Sequence, residues 1–67
     1  MAKIQLNGKK ITIMQKTSIF DLLIKYKLEK KKIAVEYNGI IIPKTSYKNK
    51  IIKNNDKIEI VHFIGGG

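Results

Sequence analysis

The sequence predicts an α+β domain in which one helix lies across a mixed β-sheet, with the element order β-β-α-β-β-β. Segments in which apolar and polar residues alternate stand before and after a single helical segment, and two Asn-Gly pairs mark tight turns. The chain has 67 residues, which is enough for one small core. Because each element has a single apolar face to bury, the helix must cover one face of the sheet.

The first two strands are predicted to form a hairpin. Residues 3–7 and 10–14 both alternate between apolar and polar side chains. Asn7-Gly8 joins them, and both central positions of a type I′ turn need the positive φ that Asn and Gly tolerate. The side chains expected to face the core are Ile4, Leu6, Ile11 and Ile13.

A helix is predicted over residues 18–28. Ser18 is a good N-cap, and Asp21 completes a capping box at the positive end of the helix dipole. Phe20 and Ile24 lie at the margin of the apolar stripe. The stripe itself has the spacing i, i+3, i+4, i+7 and consists of Ile19, Leu22, Leu23 and Tyr26.

The second half of the chain predicts three more strands. Residues 33–37 alternate, Asn38-Gly39 marks a turn, and residues 40–42 form a short strand that Pro43 ends, as expected at a sheet edge. The polar segment 44–53 is expected to be irregular, with room for one helical turn. Its expected anchors in the core are Ile51 and Ile52, and a turn over residues 54–56 follows.

The last predicted strand, residues 57–64, leads directly into three glycines. Ile58 and Ile60 share the face expected to contact the core, and Glu59, Val61 and Phe63 share the other. Apolar side chains on the solvent side, next to the chain end, suit a docking patch for a partner. This patch is assigned to Val61, Phe63 and Ile64.

The composition excludes most kinds of enzyme chemistry. The chain has no cysteine, which excludes disulfides, zinc–thiolate sites and thiol nucleophiles. Its one histidine, His62, has neither the partners of a catalytic triad nor those of a metal site. No apolar run approaches the roughly 20 residues of a membrane-spanning helix, and no signal peptide is evident. A protein without bound cofactor or metal, which is not an enzyme and does not enter a membrane, is expected.

The net charge of +9 has two interpretations. A small basic nucleic-acid-binding module is one of them. However, all fourteen basic residues are lysine, whereas arginine supplies the bidentate contacts that phosphate recognition favours. Codons rich in A and T encode the abundant Lys, Ile and Asn, so genome composition explains the lysines at least as well. Nucleic acid is therefore not the expected partner, although the charge steers encounters toward acidic surfaces.

The remaining group with useful chemistry is the α-carboxylate of Gly67. An ATP-using partner can convert a carboxylate to an acyl-adenylate, which a nucleophile then attacks. Gly65 and Gly66 have no Cβ, so this end can enter a narrow site on another protein. The expected organisation is a folded domain over residues 1–64 and a flexible reactive tail over residues 65–67.

The whole chain resembles the ThiS sulfur carriers of thiamine biosynthesis. The resemblance rests on LNGK at Leu6–Lys9, on S-I-x-D-L-L at Ser18–Leu23 and on DxIEIVHFIGGG at Asp56–Gly67. It implies the ubiquitin-like β-grasp fold, in which the last strand is central and parallel to the first. The third glycine, Gly65, is the one departure from the family's usual Gly-Gly ending.

The resemblance also implies a reaction sequence at Gly67. A ubiquitin-activating-type adenylyltransferase that uses ATP and Mg²⁺ adenylates the carboxylate. Sulfur from a donor such as a cysteine desulfurase then gives a thiocarboxylate, which thiazole synthase consumes. The implied location is the bacterial cytoplasm or the plastid stroma. Alternatives with the same fold and ending are the sulfur-carrier subunit of molybdopterin synthase and the Urm-type modifiers.

Overall fold

The computed structural model describes residues 1–63, which form five strands and one α-helix. The predicted boundary between a domain ending at residue 64 and a glycine tail lies outside these residues. The five strands form one sheet in the order β2-β1-β5-β3-β4, and β1 and β5 are parallel whereas the other neighbours are antiparallel. The element bounds are β1 Ala2–Leu6, β2 Lys9–Ile13, α1 Ile19–Lys25, β3 Ile33–Tyr37, β4 Ile40–Ile41 and β5 Lys57–His62.

The strand assignments are confirmed, with ends that differ by a residue or two from the prediction. β1 and β2 each begin one residue earlier than predicted, β4 ends at Ile41 rather than residue 42, and β5 ends at His62 rather than residue 64. β4 lies at the edge of the sheet, as Pro43 indicated. The central position of β5, with β1 parallel to it, is the arrangement that the resemblance implied.

Both Asn-Gly pairs form the predicted tight turns. Asn7 and Gly8 have φ of 50° and 83°, and Asn38 and Gly39 have φ of 51° and 87°. Leu6 is directly opposite Lys9 in the antiparallel ladder, so the first turn has only two residues between the strands. Positive φ at both central positions matches the right-handed twist of the strands and sets the register of each hairpin.

The helix begins as predicted but ends earlier. The Asp21 N–H donates to Ser18 Oγ at 3.0 Å, and the Ser18 N–H donates to Asp21 Oδ2 at 3.1 Å, which completes the capping box. The predicted end at residue 28 is wrong, because Lys27 adopts φ of 57° and reverses the chain after α1.

A Schellman motif ends the helix. The Lys27 N–H donates to the Ile24 carbonyl at 3.0 Å, and the Leu28 N–H donates to the Leu23 carbonyl at 2.9 Å. Glycine is the usual residue at this position, so a lysine there carries no signal in the sequence. Tyr26 therefore lies outside the helix and is exposed, which corrects its assignment to the apolar stripe.

The core lies between α1 and one face of the sheet. Leu6, Ile11 and Phe20 are half-buried at its margin, and Ile24 is exposed. Ile51 and Ile52 were the predicted core anchors of the segment between β4 and β5, but only Ile52 is buried. The second anchor is Tyr47, which is only 1% exposed. The buried side chains are Ala2, Ile4, Ile13, Ile19, Leu22, Leu23, Ile33, Val35, Tyr37, Tyr47, Ile52, Ile58 and Ile60.

A polar cluster holds the turn that precedes β5. The Asp56 carboxylate accepts hydrogen bonds from the Lys53 N–H at 2.7 Å, from Asn38 Nδ2 at 3.2 Å and from the Tyr37 hydroxyl. Burial, and then the hydrogen bond and charge of Asp56, raise the pKa of Tyr37 to about 12. Burial acts to raise the pKa of Asp56, but its hydrogen bonds and nearby Lys50 outweigh this and lower the pKa below the ordinary value. The cluster fixes where β5 begins.

Candidate functional site

The candidate site is the end of β5, where the chain leaves the sheet. Ile58 and Ile60 are buried against the core, whereas Val61 and Phe63 are 51% and 54% exposed. This confirms which side chains of the predicted strand face inward and which face solvent. The role of the exposed pair in docking stays a prediction.

The end of β5 extends beyond its parallel neighbour. β1 pairs with β5 only at Gln5 opposite Lys57 and at Leu6 opposite Ile58. The side chain of Asn7 then continues this edge, because its Oδ1 accepts the Ile60 N–H at 2.7 Å. Asn7 therefore has two roles: its backbone forms the turn after β1, and its side chain accepts a hydrogen bond from the edge of β5.

From Val61 onward, β3 is the neighbour that the described residues provide. Val61 is opposite Ala34 and His62 is opposite Ile33. The Phe63 N–H then donates to the Lys32 carbonyl at 2.9 Å, which extends the pairing one residue beyond β5. The backbone of Phe63 is thus held at the start of β3, immediately before the glycine-rich end of the sequence.

Lys44 lies against the same point and was not singled out by the sequence. Its Nζ is 5.5 Å from the centroid of the Phe63 ring, and it donates to the carbonyls of Lys30 at 2.6 Å and Ile33 at 2.7 Å. Lys44 opens a short 3₁₀ turn, Lys44–Ser46, that follows Pro43. Nothing in the sequence distinguishes Lys44 from the other thirteen lysines, so only the folded arrangement reveals this contact.

The outer face of the sheet contains a further exposed apolar side chain, Ile41 on β4. Ile41 is opposite Glu36, Glu36 is opposite Glu59, and Val61 follows two residues after Glu59, so the register places these residues on one face. The sequence assigned Ile41 only to a short apolar strand. Ile41 thus lies on the same outer face as Val61, but two strands away from it and level with Glu36 and Glu59.

The described residues offer no alternative site for metal-dependent chemistry. Among residues 1–63, no group of three His, Cys, Asp or Glu side chains could hold a metal ion. His62 is exposed at the end of β5. No helix in this part of the chain is long and apolar enough to cross a membrane.

The other predicted site residues, Ile64, Gly65, Gly66 and Gly67, lie outside the described residues. The sequence around them differs from the rest in charge. Lys57 is the last of the fourteen lysines, and residues 58–67 contain Glu59 as their only Asp, Glu or Lys. A strongly basic chain therefore ends in a segment that contributes no lysine of its own.

Comparisons with known proteins point to one family. The ThiS family model matches residues 3–67. The chain is 48% identical over 65 residues to the sulfur carrier protein ThiS of Bacillus subtilis, covering 96% of this chain and 98% of that protein. It is also 38% identical over 65 residues to a thiazole synthase of Paramagnetospirillum magneticum, of which it spans only 20%.

The fold has a close counterpart among solved structures. The crystal structure of the thiamine biosynthesis protein ThiS from Geobacter metallireducens matches with a TM-score of 0.83 and 26% sequence identity, covering 97% of this chain and 99% of that one. Together with the strand order β2-β1-β5-β3-β4, this match confirms the predicted β-grasp fold.

Proposed function

Since the chain belongs to the ThiS family, we propose that the α-carboxylate of Gly67 is the group through which it carries sulfur. The protein is a sulfur carrier that acts in the formation of the thiazole of thiamine, and it is a carrier rather than an enzyme. The observation that carries the proposal is the extent of the family match, which runs to Gly67 and includes the whole glycine ending. The Bacillus subtilis relative and the Geobacter metallireducens structure are both named as ThiS proteins, which favours this role over the molybdopterin-type and Urm-type alternatives.

The proposed chemistry begins with activation. A ubiquitin-activating-type adenylyltransferase binds ATP and Mg²⁺, and a carboxylate oxygen of Gly67 attacks the α-phosphorus, so that pyrophosphate leaves. In the resulting acyl-adenylate, AMP is a good leaving group. The persulfide that a donor such as a cysteine desulfurase forms attacks the acyl carbon through its terminal sulfur, so that AMP leaves and an acyl disulfide results. A thiol of the donor system then cleaves the S–S bond, which releases the thiocarboxylate and leaves the donor as a disulfide. The chain has no cysteine, so no thiol of its own competes as the site of sulfur transfer.

Thiazole synthase is the proposed consumer of the thiocarboxylate. The thiazole synthase of Paramagnetospirillum magneticum contains a segment similar to this chain, equal to a fifth of its length. A carrier segment within a synthase polypeptide supports direct contact between the two activities. We place these reactions where the activating enzyme finds ATP, in the bacterial cytoplasm or the plastid stroma.

The outer patch, which we define as Val61 and Phe63, is the proposed docking surface of the folded part, and Ile64 continues it in the sequence. About half of each described side chain is exposed. Burying the exposed halves of a Val and a Phe contributes roughly 2 kcal/mol, since complete burial of such a side chain is worth about 1.5–3 kcal/mol. Contacts of this size guide a partner to the end of β5 and to the glycines that follow.

The test is activation of the purified carrier by its adenylyltransferase. ATP–pyrophosphate exchange reports the acyl-adenylate, and the intact mass after sulfur transfer reports the exchange of one oxygen for sulfur. A variant that lacks Gly66 and Gly67 is the matched control, because it retains residues 1–63 and their core. We expect exchange and the mass change with the complete chain, neither with the truncated one, and the same thermal midpoint for both. Equal exchange by both proteins would show that Gly67 is not the reacting residue.

A further inference from the structure

Lys44 joins three segments of the chain at the end of β5. Its ammonium group donates to the Lys30 carbonyl at 2.6 Å and to the Ile33 carbonyl at 2.7 Å. The same nitrogen lies 5.5 Å from the centroid of the Phe63 ring, within the range of a cation–π contact. The ammonium thus contacts the turn before β3, the first residue of β3 and the aromatic side chain of the outer patch.

The backbone contacts of Lys44 also bear on Phe63. The Lys32 carbonyl, which accepts the Phe63 N–H at 2.9 Å, lies between the two carbonyls that Lys44 holds. Lys44 therefore stabilises the backbone segment to which the Phe63 backbone is bound, while it contacts the Phe63 ring directly. The Lys44 ammonium group therefore constrains both the ring and the backbone of Phe63.

Lys44 is itself held in place by the core. The Tyr47 N–H donates to the Lys44 carbonyl at 3.2 Å, and the Tyr47 side chain is buried. Pro43 precedes Lys44 with φ of −69°, which limits the backbone on the other side. The stem of the lysine therefore starts from a fixed point beside β3 and β5.

The Lys44 side chain points toward a cluster of like charges. It reaches toward Lys30–Lys32, three consecutive lysines, of which Lys32 has Glu29 at 3.8 Å. An exposed lysine with no specific contact would turn away from three like charges. The two carbonyl acceptors and the ring offset this repulsion, which marks the contact as a specific one.

We propose that Lys44 is a positioning residue of the carrier reaction, which holds Phe63 in the orientation in which the activating enzyme binds it. The inference rests on the proposed function of the outer patch and of Gly67. It predicts that loss of the ammonium group weakens recognition of the carrier by its partner, while the chemical step at Gly67 proceeds at its normal rate once the complex has formed.

The chain supplies a matched control for the test. Lys48 Nζ lies 5.0 Å from the centroid of the Phe20 ring, and Phe20 belongs to α1 rather than to the end of β5. Lys44→Met and Lys48→Met each remove one positive charge and one cation–π contact. The long-range attraction to an acidic partner changes equally in both variants. A difference between their KM values therefore reflects the specific contacts of Lys44 at the end of β5.

ATP–pyrophosphate exchange with the activating enzyme is the first measurement. For Lys44→Met we expect the KM for the carrier to rise about two- to five-fold, the factor of an exposed cation–π contact, with kcat unchanged. We expect Lys48→Met to show only the small rise in KM that the loss of one positive charge produces. Lys44→Arg should retain the wild-type KM, because guanidinium also stacks on rings and donates to carbonyls.

The NMR spectrum of the free carrier gives a second measurement. Phe20 and Phe63 are the only two phenylalanines, so selective Phe labelling yields two ring signals. Lys44→Met should shift the signal of Phe63 and Lys48→Met that of Phe20. Equal KM values for the two methionine variants, or an unchanged Phe63 signal in Lys44→Met, would overturn the inference. Absence of exchange with the wild-type carrier would instead refute the proposed function of Gly67.

Discussion

Two aspartate substitutions near the end of β5 separate the docking role of this strand from its role in the core. Phe63 is 54% exposed and belongs to the outer patch, whereas Ile60 is 8% exposed and faces the core. Phe63→Asp and Ile60→Asp therefore introduce the same charge three residues apart, on opposite faces of the chain. We expect the first to weaken partner binding and the second to unfold the protein.

The expected magnitudes follow from burial. Loss of a buried Ile side chain costs about 2–5 kcal/mol, and burying a carboxylate without a partner adds several kcal/mol more. A domain of 67 residues has a free energy of unfolding of about 3–10 kcal/mol, at roughly 0.05–0.15 kcal/mol per residue. Ile60→Asp therefore removes most or all of the stability.

Phe63→Asp costs far less. About half of the ring is already in water, so the lost burial is about 1 kcal/mol. The lost cation–π contact is offset by attraction between the new carboxylate and Lys44. The expected drop in the thermal midpoint is about 4–8 °C, the shift that 1 kcal/mol produces in a domain of this size. Loss of the roughly 1 kcal/mol that the exposed half of the ring contributes to docking should raise Kd for the partner about five-fold.

Urea denaturation gives the free energy of unfolding of both variants, and calorimetric titration with the activating enzyme gives Kd for Phe63→Asp. Equal destabilisation by the two substitutions would show that Phe63 belongs to the core. A folded Phe63→Asp protein with the wild-type Kd would show that the outer patch is not the docking surface.

The remaining predictions concern the chain end and the effect of pH. Gly67→Val should melt normally but lose most ATP–pyrophosphate exchange, because a β-branched side chain then stands beside the reacting carboxylate; wild-type exchange would contradict the proposal. The pKa of Asp56 is lowered in the folded state, so its stabilisation is present above the unfolded pKa of about 3.9 and is lost as the pH falls through the folded value. In thermal melts, the midpoint of Asp56→Asn should therefore fall less steeply than that of the wild type as the pH is lowered. The pKa of Tyr37 is raised to about 12, so its stabilisation is present below about pH 10 and is lost as the pH rises toward 12. Tyr37→Phe should reduce this alkaline loss in melts, and burial of Tyr47, which raises its pKa as well, accounts for part of what is left.

The parts of the fold that the sequence predicts are those that local chemistry specifies. Asn7-Gly8 sets a hairpin because only its own backbone must adopt positive φ, and Ser18 and Asp21 cap a helix through bonds within one turn. The alternation in β5 likewise places Val61 on the solvent side from residues within a single strand. None of these inferences depends on a distant segment.

The parts that the sequence does not predict depend on contacts between distant segments. Tyr47 belongs to the core because its segment is fastened to the start of α1, where the Phe20 N–H donates to the Tyr47 carbonyl at 3.0 Å. The segment has neither period 2 nor period 3.6, so Ile51 and Tyr47 cannot be ranked for burial from the sequence. Lys44 is missed for the same reason, since its acceptor carbonyls lie 14 and 11 residues earlier in the chain.

The small size of the outer patch suits a carrier that must leave each partner. The proposed reaction sequence requires Gly67 to reach an adenylyltransferase, a sulfur donor and thiazole synthase in turn, so each complex must dissociate before the next can form. Two half-exposed side chains, Val61 and Phe63, provide roughly 2 kcal/mol, which lowers Kd about 30-fold without a long residence time. The net charge of +9 acts mainly on the rate of encounter with acidic surfaces, and affinity differences between related complexes reside mostly in dissociation. Fast association through charge and fast release from a small apolar patch are therefore compatible in one short chain, whereas a larger apolar surface would hold the carrier on its first partner.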